Sequence, residues 1–95
     1  MDEAVELPIN GILDLHLFRP SEVGDLVPTW LDACRRHGYR EVRIVHGKGT
    51  GALRRTVHAA LDRYPHATDY RLAPDASAWG ATLVTLEAGR REDRP

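Results

Sequence analysis

The sequence predicts an α/β fold, a two-layer sandwich in the order β-α-β-α-β-β, with a four-stranded mixed sheet and both helices on one face. Two observations predict it. Ninety-five residues with 42% hydrophobic content can bury one core but not two. Strand-like and helix-like patterns alternate along the chain, and a strand, helix, strand connection is almost always right-handed and parallel. The first two strands are therefore expected side by side, or nearly so.

The first strand and the first helix are marked by two different apolar periodicities. Residues 12–16, ILDLH, are apolar at positions 12, 13 and 15, and Pro20 stops the strand. Apolar side chains then recur at i, i+3, i+4, i+7, i+8 and i+11, which is typical of an amphipathic helix. These residues are Val23, Leu26, Val27, Trp30, Leu31 and Cys34. Trp30 is thus assigned to the core.

The bounds of this helix are indicated by basic residues, glycine and proline. Cations at 35–37 complement the negative end of a helix, and Gly38 supplies the left-handed residue that often follows the last turn. Pro28 is harmless only within a first turn, which leaves two possible starts. The helix begins near residues 24–25, or it begins at Ser21 and is kinked at Pro28. The longer helix is preferred because it keeps the apolar phase.

The rest of the domain is predicted to be a strand, a helix and two further strands. Residues 41–46, EVRIVH, alternate and then become β-branched, so they predict a strand that is buried by its end. A second helical pattern of apolar residues runs over 53–64 and is closed by Pro65. The segments 68–74 and 80–87 predict the last two strands, joined by a short loop.

The chain ends are expected to lie outside the functional domain. Residues 1–11 are predicted to form a flexible N-terminal arm, residues 12–87 the domain, and residues 88–95 a disordered tail without apolar periodicity. An acidic start and the lack of an apolar run of about 20 residues argue against export and against a membrane span. The single Cys34 cannot form an internal disulfide, which favours a reducing compartment, the cytoplasm.

Charge is distributed unevenly, although the formal net charge is only -1. Residues 1–32 carry one Arg against seven acidic residues, whereas residues 33–63 carry eight basic residues against two acidic ones. If the fold gathers those cations on one face, they attract a polyanion such as nucleic acid. The alternative is an ordinary solvated surface with scattered charge.

Three ionisable side chains are expected to meet at the carboxyl ends of the first two strands. Asp14 and His16 are two residues apart, so they share one face of the first strand, and His46 ends the second strand. In α/β units, ligands gather where strand ends meet helix starts. Asp14, His16 and His46 are therefore the candidate catalytic residues, beside the loop GKGTG at 47–51.

The glycines of this loop favour an anion site. Without β-carbons, and with positive φ allowed, their N–H groups can turn toward one point at the positive start of the second helix. Basic side chains nearby can bind further phosphates of a nucleic acid. The predicted phosphate-binding residues are Gly47, Lys48, Gly49, Thr50, Gly51, Arg54 and Arg55. The spacing fits neither GxxxxGK[ST] nor GxGxxG, so no nucleotide cofactor is expected.

Histidines and a carboxylate beside a phosphate suit phosphodiester hydrolysis. One imidazole can accept a proton from water or a ribose hydroxyl, and another can deliver a proton to the leaving oxygen. Asp14 can orient a histidine or bind a divalent cation, Mg²⁺ or Mn²⁺. The structural alternatives are a capping role for Asp14 and a turn role for His16. His37 is assigned to a helix end, and His58 and His66 are assigned to the surface.

Three segments resemble the Smr (small MutS-related) domain family, in particular its stand-alone bacterial members. They are LDLH at 13–16, IVHGKGTGALR at 44–54 and WGATLVTL at 79–86. The resemblance covers about residues 12–87 and implies the same β-α-β-α-β-β sandwich. It also implies nicking of DNA, often of branched DNA, or cleavage of RNA. The positions that match the family's motifs are Asp14, His16, His46, Gly47, Gly49, Gly80, Ala81 and Thr82.

Two loops depart from the family's usual pattern. Leu17 stands where a glycine usually follows the first histidine, and Ser77 and Ala78 replace glycines ahead of the third motif. Both changes affect loops beside the expected site, so they bear on substrate and cleavage more than on the fold. Three functions stay open: an endonuclease acting on DNA or RNA, a non-catalytic nucleic-acid-binding module, and a protein-interaction domain.

Overall fold

Two helices and four strands alternate as the sequence predicts. The computed structural model describes residues 9–47, 49, 51–74 and 80–88. The strands are β1 (Ile12–Asp14), β2 (Glu41–Val45), β3 (Ala67–Leu72) and β4 (Ala81–Leu86). The helices are α1 (Pro20–Arg36) and α2 (Ala52–Arg63), and a short 3₁₀ turn spans Leu15–Leu17.

The strands form one mixed sheet in the order β1-β2-β4-β3. β1 runs parallel to β2, so the expected side-by-side placement is confirmed, and β4 pairs antiparallel with both β2 and β3. The register places Asp14 opposite Val45 and Val45 opposite Ala81. The carboxyl ends of β1 and β2 therefore meet the start of β4 at a single edge of the sheet.

One face of the sheet carries the core, and both helices cover that face. Val42 and Ile44 of β2 alternate with more exposed neighbours, as do Val84 and Leu86 of β4. This period-two pattern turns all four side chains to the same side. Trp30 of α1 is completely buried in the same cluster, as expected from the helical pattern. The two-layer sandwich with both helices on one face is confirmed.

Helix α1 follows the longer of the two predicted courses. It begins at Pro20, one residue before the expected start, and Pro28 lies in its interior. Pro20 fits there because the first helical N–H has no partner inside the helix. The side chain of Glu22 accepts the N–H of Arg19 at 3.3 Å and so caps the helix start. Burial of one apolar stripe outweighs the hydrogen bond that Pro28 cannot donate.

The first strand is shorter than predicted. The segment 12–16 was expected to be extended throughout, but β1 stops at Asp14 and residues 15–17 form the 3₁₀ turn. The carboxylate of Asp14 accepts the backbone N–H of His16 at 3.0 Å. A short polar side chain that bonds the backbone two residues on competes with strand pairing, which is why the chain turns here.

Residues 9–11 contact the domain directly. Ile9 packs against the core cluster, and its carbonyl accepts the hydroxyl of Tyr39 at 3.4 Å. The carbonyl of Gly11 accepts the N–H of Arg43 at 2.8 Å. Most of the predicted arm (residues 1–8), the loop at 75–79 and residues 89–95 of the predicted tail lie outside the described residues. No helix in the described part of the chain is long and apolar enough to cross a membrane.

Gly24 and Gly38 both have room for a β-carbon but differ in backbone conformation, so they form a matched pair for testing the effect of φ on stability. An added β-carbon meets nothing within 4 Å at either Gly24 or Gly38, but Gly38 has a φ of +90°. Gly24→Ala should raise the free energy of unfolding by about 0.5–1 kcal/mol, since it lies inside a helix. Gly38→Ala should lower it by about 1–2 kcal/mol, because φ is positive there. Urea denaturation measures both, and equal signs would contradict this account.

Candidate functional site

The first element of the site is a paired carboxylate and imidazole at the end of β1. Oδ1 of Asp14 lies 2.7 Å from Nδ1 of His16 and also accepts that residue's backbone N–H. The backbone hydrogen bond, followed by the side-chain bond, lowers the pKa of Asp14. Since the ionised carboxylate only accepts, Nδ1 of His16 carries the hydrogen and Nε2 of a neutral ring is left as a base. The His16 side chain is 64% exposed and so is open to a ligand.

The glycine loop meets this pair at Gly47. A β-carbon built on Gly47 would lie 3.3 Å from Nε2 of His16, and Gly47 has a φ of +83°. Both the close approach and the backbone conformation favour glycine at this position. The structure thus places Asp14 and His16 beside the loop, although a 3₁₀ turn does this instead of the shared strand face that was expected.

His46 lies at the same edge but is turned inward. It is only 4% exposed, and Nδ1 donates to the carbonyl of Gly47 at 3.0 Å. Its Nε2 lies 2.9 Å from the hydroxyl oxygen of Thr82. Burial lowers the pKa of His46; the hydrogen bond to Gly47 opposes this effect and the charge of Arg54 adds to it. His46 is therefore a neutral, doubly bonded side chain next to the exposed pair.

His58 also belongs to this cluster, so its assignment to the surface is wrong. Its Nε2 lies 2.8 Å from the Thr82 hydroxyl oxygen, and its ring packs on Tyr70 with centroids 4.7 Å apart. Burial is the main cause that lowers the pKa of His58, and the charges of His46 and Arg54 add to it. Thr82 is the residue in the sequence that could have indicated this role of His58. It lies on the apolar side of β4, where a buried hydroxyl needs polar partners.

The remaining histidines lie elsewhere. The ring of His37 donates to the carbonyl of Ala33 at the end of α1, as expected for a helix-end residue. His66 pairs with Glu87 near the other end of the sheet. Neither contacts the cluster described above.

A hollow of about 200 Å³ opens beside His46, at the start of α2. It is bordered by His46, the glycines at 47, 49 and 51, and the first helical turn from Ala52 to Arg54. The N-cap of α2 is Gly51, with a φ of +89° and no side chain to bond the first N–H groups. The N–H groups of Leu53 and Arg54, in the first turn, have no acceptor within the helix, so they suit an anion.

Basic side chains add to the positive helix end. Guanidinium nitrogens of Arg54 and Arg55 lie 3.2 and 3.3 Å from the position of a β-carbon on Gly51. The first turn of α2 holds no acidic residue. Within the described ranges, no ion pair joins either arginine to a carboxylate. Two cations and a helix start that converge in this way stabilise a bound anion.

Gly47 differs from the other predicted phosphate-binding residues. Its N–H and that of His46 both donate to the carbonyl of Gly80 at 2.9 Å, so neither can bind an anion. Gly47 serves the site through its conformation. Lys48 and Thr50, which were also predicted to bind phosphate, lie outside the described residues.

No cluster of three His, Cys, Asp or Glu side chains that could hold a metal ion occurs among the residues that the structure describes. At the sheet edge, Asp14 and His16 form only a pair, and one oxygen of Asp14 already accepts two hydrogen bonds. The chain's own donors at this edge therefore do not form a complete metal-binding cage.

The fold and the site define a small α/β domain with histidines and arginines gathered at one edge of a mixed sheet. The chain belongs to the Smr domain family, whose model matches residues 13–87. This confirms the family resemblance of the three sequence segments.

The similar proteins are much longer than this chain, and the matching region is a small part of each of them. The chain is 37% identical over 81 residues to Endonuclease MutS2 from Halothermothrix orenii, which covers 84% of this chain and 10% of that protein. It is 47% identical over 80 residues to Endonuclease MutS2 from Gemmatimonas aurantiaca, again 10% of that protein and 83% of this chain. The chain thus spans about a tenth of the length of these relatives.

Two solved structures share the fold. The Smr domain of Thermus thermophilus MutS2 superimposes with a TM-score of 0.74 at 34% identity, covering 80% of this chain and 96% of that one. YdaL, a stand-alone small MutS-related protein from Escherichia coli, gives a TM-score of 0.66 at 25% identity, covering 86% of this chain and 68% of that one. The similarity therefore extends to isolated Smr domains and to a stand-alone protein.

The buried histidines predict how stability depends on pH. The pKa values of His46 and His58 are lowered from 6.5, so below about pH 6.5 the unfolded chain binds protons that the folded chain does not. The free energy of unfolding should therefore be highest above pH 6.5 and fall as the pH is lowered to 5. His58→Gln removes one of these groups. The number of protons taken up on unfolding should then fall by as much as one, and the slope of the unfolding free energy against pH should be shallower. Urea titrations between pH 5 and 8 measure this slope, and an unchanged slope in the variant would contradict the assignment.

Proposed function

We propose that this domain binds nucleic acid and hydrolyses a phosphodiester bond in DNA or RNA. The observation that carries the proposal is the Asp14–His16 pair, whose imidazole lies against Gly47 beside the positive hollow at the start of α2. A base and an anion site thus adjoin one another. The similarity to proteins named Endonuclease MutS2 supports this class of reaction.

Binding begins with a backbone phosphate in the hollow. The N–H groups of Leu53 and Arg54 in the first turn of α2 and the guanidinium groups of Arg54 and Arg55 offset its charge. Lys48 and Thr50 are proposed to contact the same or a neighbouring phosphate, on the basis of their positions in the loop sequence. Bound in this way, the phosphorus centre comes close to the exposed imidazole of His16.

His16 acts as the general base in the proposed reaction. The carboxylate of Asp14 holds Nδ1–H, so Nε2 accepts a proton from an attacking water, or from a ribose hydroxyl in RNA. The oxygen forms a bond to phosphorus, the bond to the leaving oxygen breaks, and the leaving oxygen takes a proton from solvent. The arginines stabilise the charge that develops on the phosphoryl oxygens.

The sequence made His46 a catalytic candidate, but in this proposal it holds the glycine loop in place and does not take part in proton transfer. Its two ring nitrogens are bonded to Gly47 and Thr82 and it is almost completely buried. It therefore holds the loop against which His16 rests. The reaction needs only one imidazole that is open to solvent.

A divalent cation is a separate part of the proposal. The donor set at this edge cannot enclose a metal ion by itself, but Mg²⁺ is often bound by one carboxylate, waters and substrate phosphates. Asp14 is the residue that would hold it, and the ion would offset phosphate charge. The acid–base step of His16 proceeds with protein groups alone.

The proposed location is the cytoplasm. Cys34, the single cysteine of the chain, is fully buried, and burial raises the pKa of its thiol to about 11. Burial keeps this thiol unreactive, and a single cysteine cannot form an internal disulfide, which is usual for proteins of a reducing compartment.

A second candidate function is a non-catalytic nucleic-acid-binding module. The inward orientation of His46 favours it, because only one of the two expected histidines can reach a substrate. The same positive hollow would then bind phosphate without cleavage. Cleavage and binding measurements on the same variants separate the two functions.

Loss of the general base should slow cleavage strongly and leave binding intact. His16→Ala should lower the cleavage rate by about 10²–10⁴-fold, which is the usual contribution of a general base. The control is His37→Ala, which removes an exposed histidine at the far end of α1. Nicking of supercoiled plasmid, branched DNA and structured RNA is measured with Mg²⁺, Mn²⁺ or EDTA. Wild-type protein that binds nucleic acid but leaves every substrate intact would favour the non-catalytic module.

Loss of a phosphate-binding cation should reduce the salt dependence of binding. Arg54→Gln should lower the slope of log K against log salt by about 0.7–0.9, which corresponds to one phosphate contact. Arg63→Gln is the matched control, because Arg63 lies in the last turn of the same helix and its loss changes the net charge equally. Equal effects of the two variants on gel-shift titrations would contradict a local site. No binding at low salt would instead favour a protein-interaction domain.

A further inference from the structure

A single hydroxyl group lies between two imidazole rings in the interior of the domain. The Oγ1 atom of Thr82 is 2.9 Å from Nε2 of His46 and 2.8 Å from Nε2 of His58, and Thr82 is completely buried. A threonine hydroxyl has one hydrogen and two lone pairs. It can donate to one neutral ring, so the other ring must donate to it.

The carbonyl of Gly47 decides which ring donates. A carbonyl oxygen only accepts, so the 3.0 Å contact with His46 requires hydrogen on Nδ1 of that ring. The neutral ring of His46 then has a bare Nε2, which accepts the hydrogen of Thr82. His58 must donate from its Nε2 to the same oxygen. The two histidines are therefore in opposite tautomers.

We propose that His58 is a positioning residue of the site, which acts through Thr82 and His46 on the backbone of Gly47. This role in catalysis rests on the proposed function, whereas the bonding pattern does not. Hydrogen bonds run in one direction from His58 to Thr82, from Thr82 to His46, and from His46 to the carbonyl of Gly47. The three side chains come from α2, from β4 and from the residue that follows β2, so the chain of bonds joins three parts of the fold.

Gly47 is held at both of its polar groups. Its carbonyl accepts from His46, and its N–H donates to the carbonyl of Gly80 at 2.9 Å. These bonds fix the two peptide groups of Gly47, which has a φ of +83° and on which an added β-carbon would lie 3.3 Å from Nε2 of His16. A change in the direction of the Gly47 carbonyl would move the surface on which His16 rests. His58 thereby controls the position of His16.

The ring of His58 is itself held in place by packing. It lies on Tyr70 at a centroid distance of 4.7 Å and meets the ring of His46 edge-on at 6.2 Å. The Tyr70 hydroxyl is fixed in turn by a 2.6 Å hydrogen bond to Asp62 on α2. Because packing restricts the ring, its Nε2–H stays directed at Thr82.

Nitrogen NMR of the histidine side chains tests the bonding pattern without any activity. At pH 8, Nδ1 of His46 and Nε2 of His58 should both be protonated, and the other nitrogen of each ring should be bare. Thr82→Val removes the hydroxyl at similar volume, and the resonances of both rings should change; Thr82→Ser should restore them. The same tautomer in both wild-type rings would overturn the proposal.

A pair of His58 variants tests the positioning role. His58→Leu removes the donor, and His58→Gln retains an N–H donor at similar reach. The leucine variant should lower kcat about tenfold or more with KM unchanged, because a small misplacement of a base is costly, and the glutamine variant should recover most of the loss. A folded leucine variant with wild-type kcat would overturn the role.

An activity-independent measurement covers the case in which the wild-type protein does not cleave. His58→Leu should then still shift the amide resonance of Gly47 and the ring resonances of His16, whereas the exposed His37 should be unaffected. Unchanged Gly47 and His16 resonances would overturn the positioning role. If only the proposed function is wrong, these spectra still change as expected, but the wild-type protein shows no cleavage. The two failures are therefore distinguishable.

Discussion

The position of every functional group depends on the pairing of β2 with its two neighbours. β2 pairs in parallel with β1 and antiparallel with β4, and the register sets Asp14, Val45 and Ala81 in one row across the sheet. His46 follows Val45 directly, Thr82 follows Ala81 directly, and His16 lies two residues after Asp14. A shift of one residue in either pairing would turn a buried face outward, so the burial of Val42 and Ile44 fixes the register and with it the site.

The polar cluster at this edge of the sheet is held together by hydrogen bonds among its own members. Two imidazoles and a hydroxyl are buried or half-buried on the side of the sheet that otherwise packs against apolar side chains. A buried polar group without a partner costs about 1–3 kcal/mol, so such a cluster is tolerated only when each member is bonded. His46, Thr82 and His58 satisfy one another, and Gly47 accepts the last hydrogen. The same bonds that remove this penalty also fix the loop.

The sequence was sufficient for the fold because its elements have clear periodicities. Apolar residues recur with the helical period through α1 and with a period of two in β2, and these patterns depend only on neighbours along the chain. The site was less predictable because its contacts are distant in sequence. His58 lies off the apolar stripe of α2, and its partner Thr82 is 24 residues away. Asp14 and His16 were paired correctly, but for the wrong local reason, since a side-chain bond to the backbone ended the strand.

The short first strand has a consequence for how the domain moves. β1 contributes only three residues and lies at the border of the sheet, whereas β2 is flanked on both sides. Backbone pairing over three residues holds such an edge strand only weakly by itself. Detachment of β1 would carry the carboxylate of Asp14 and the imidazole of His16 away together. Leu13 and Leu15 of the same segment are buried in the core, so this detachment would expose apolar surface, and the core thereby keeps the carboxylate and its imidazole in place.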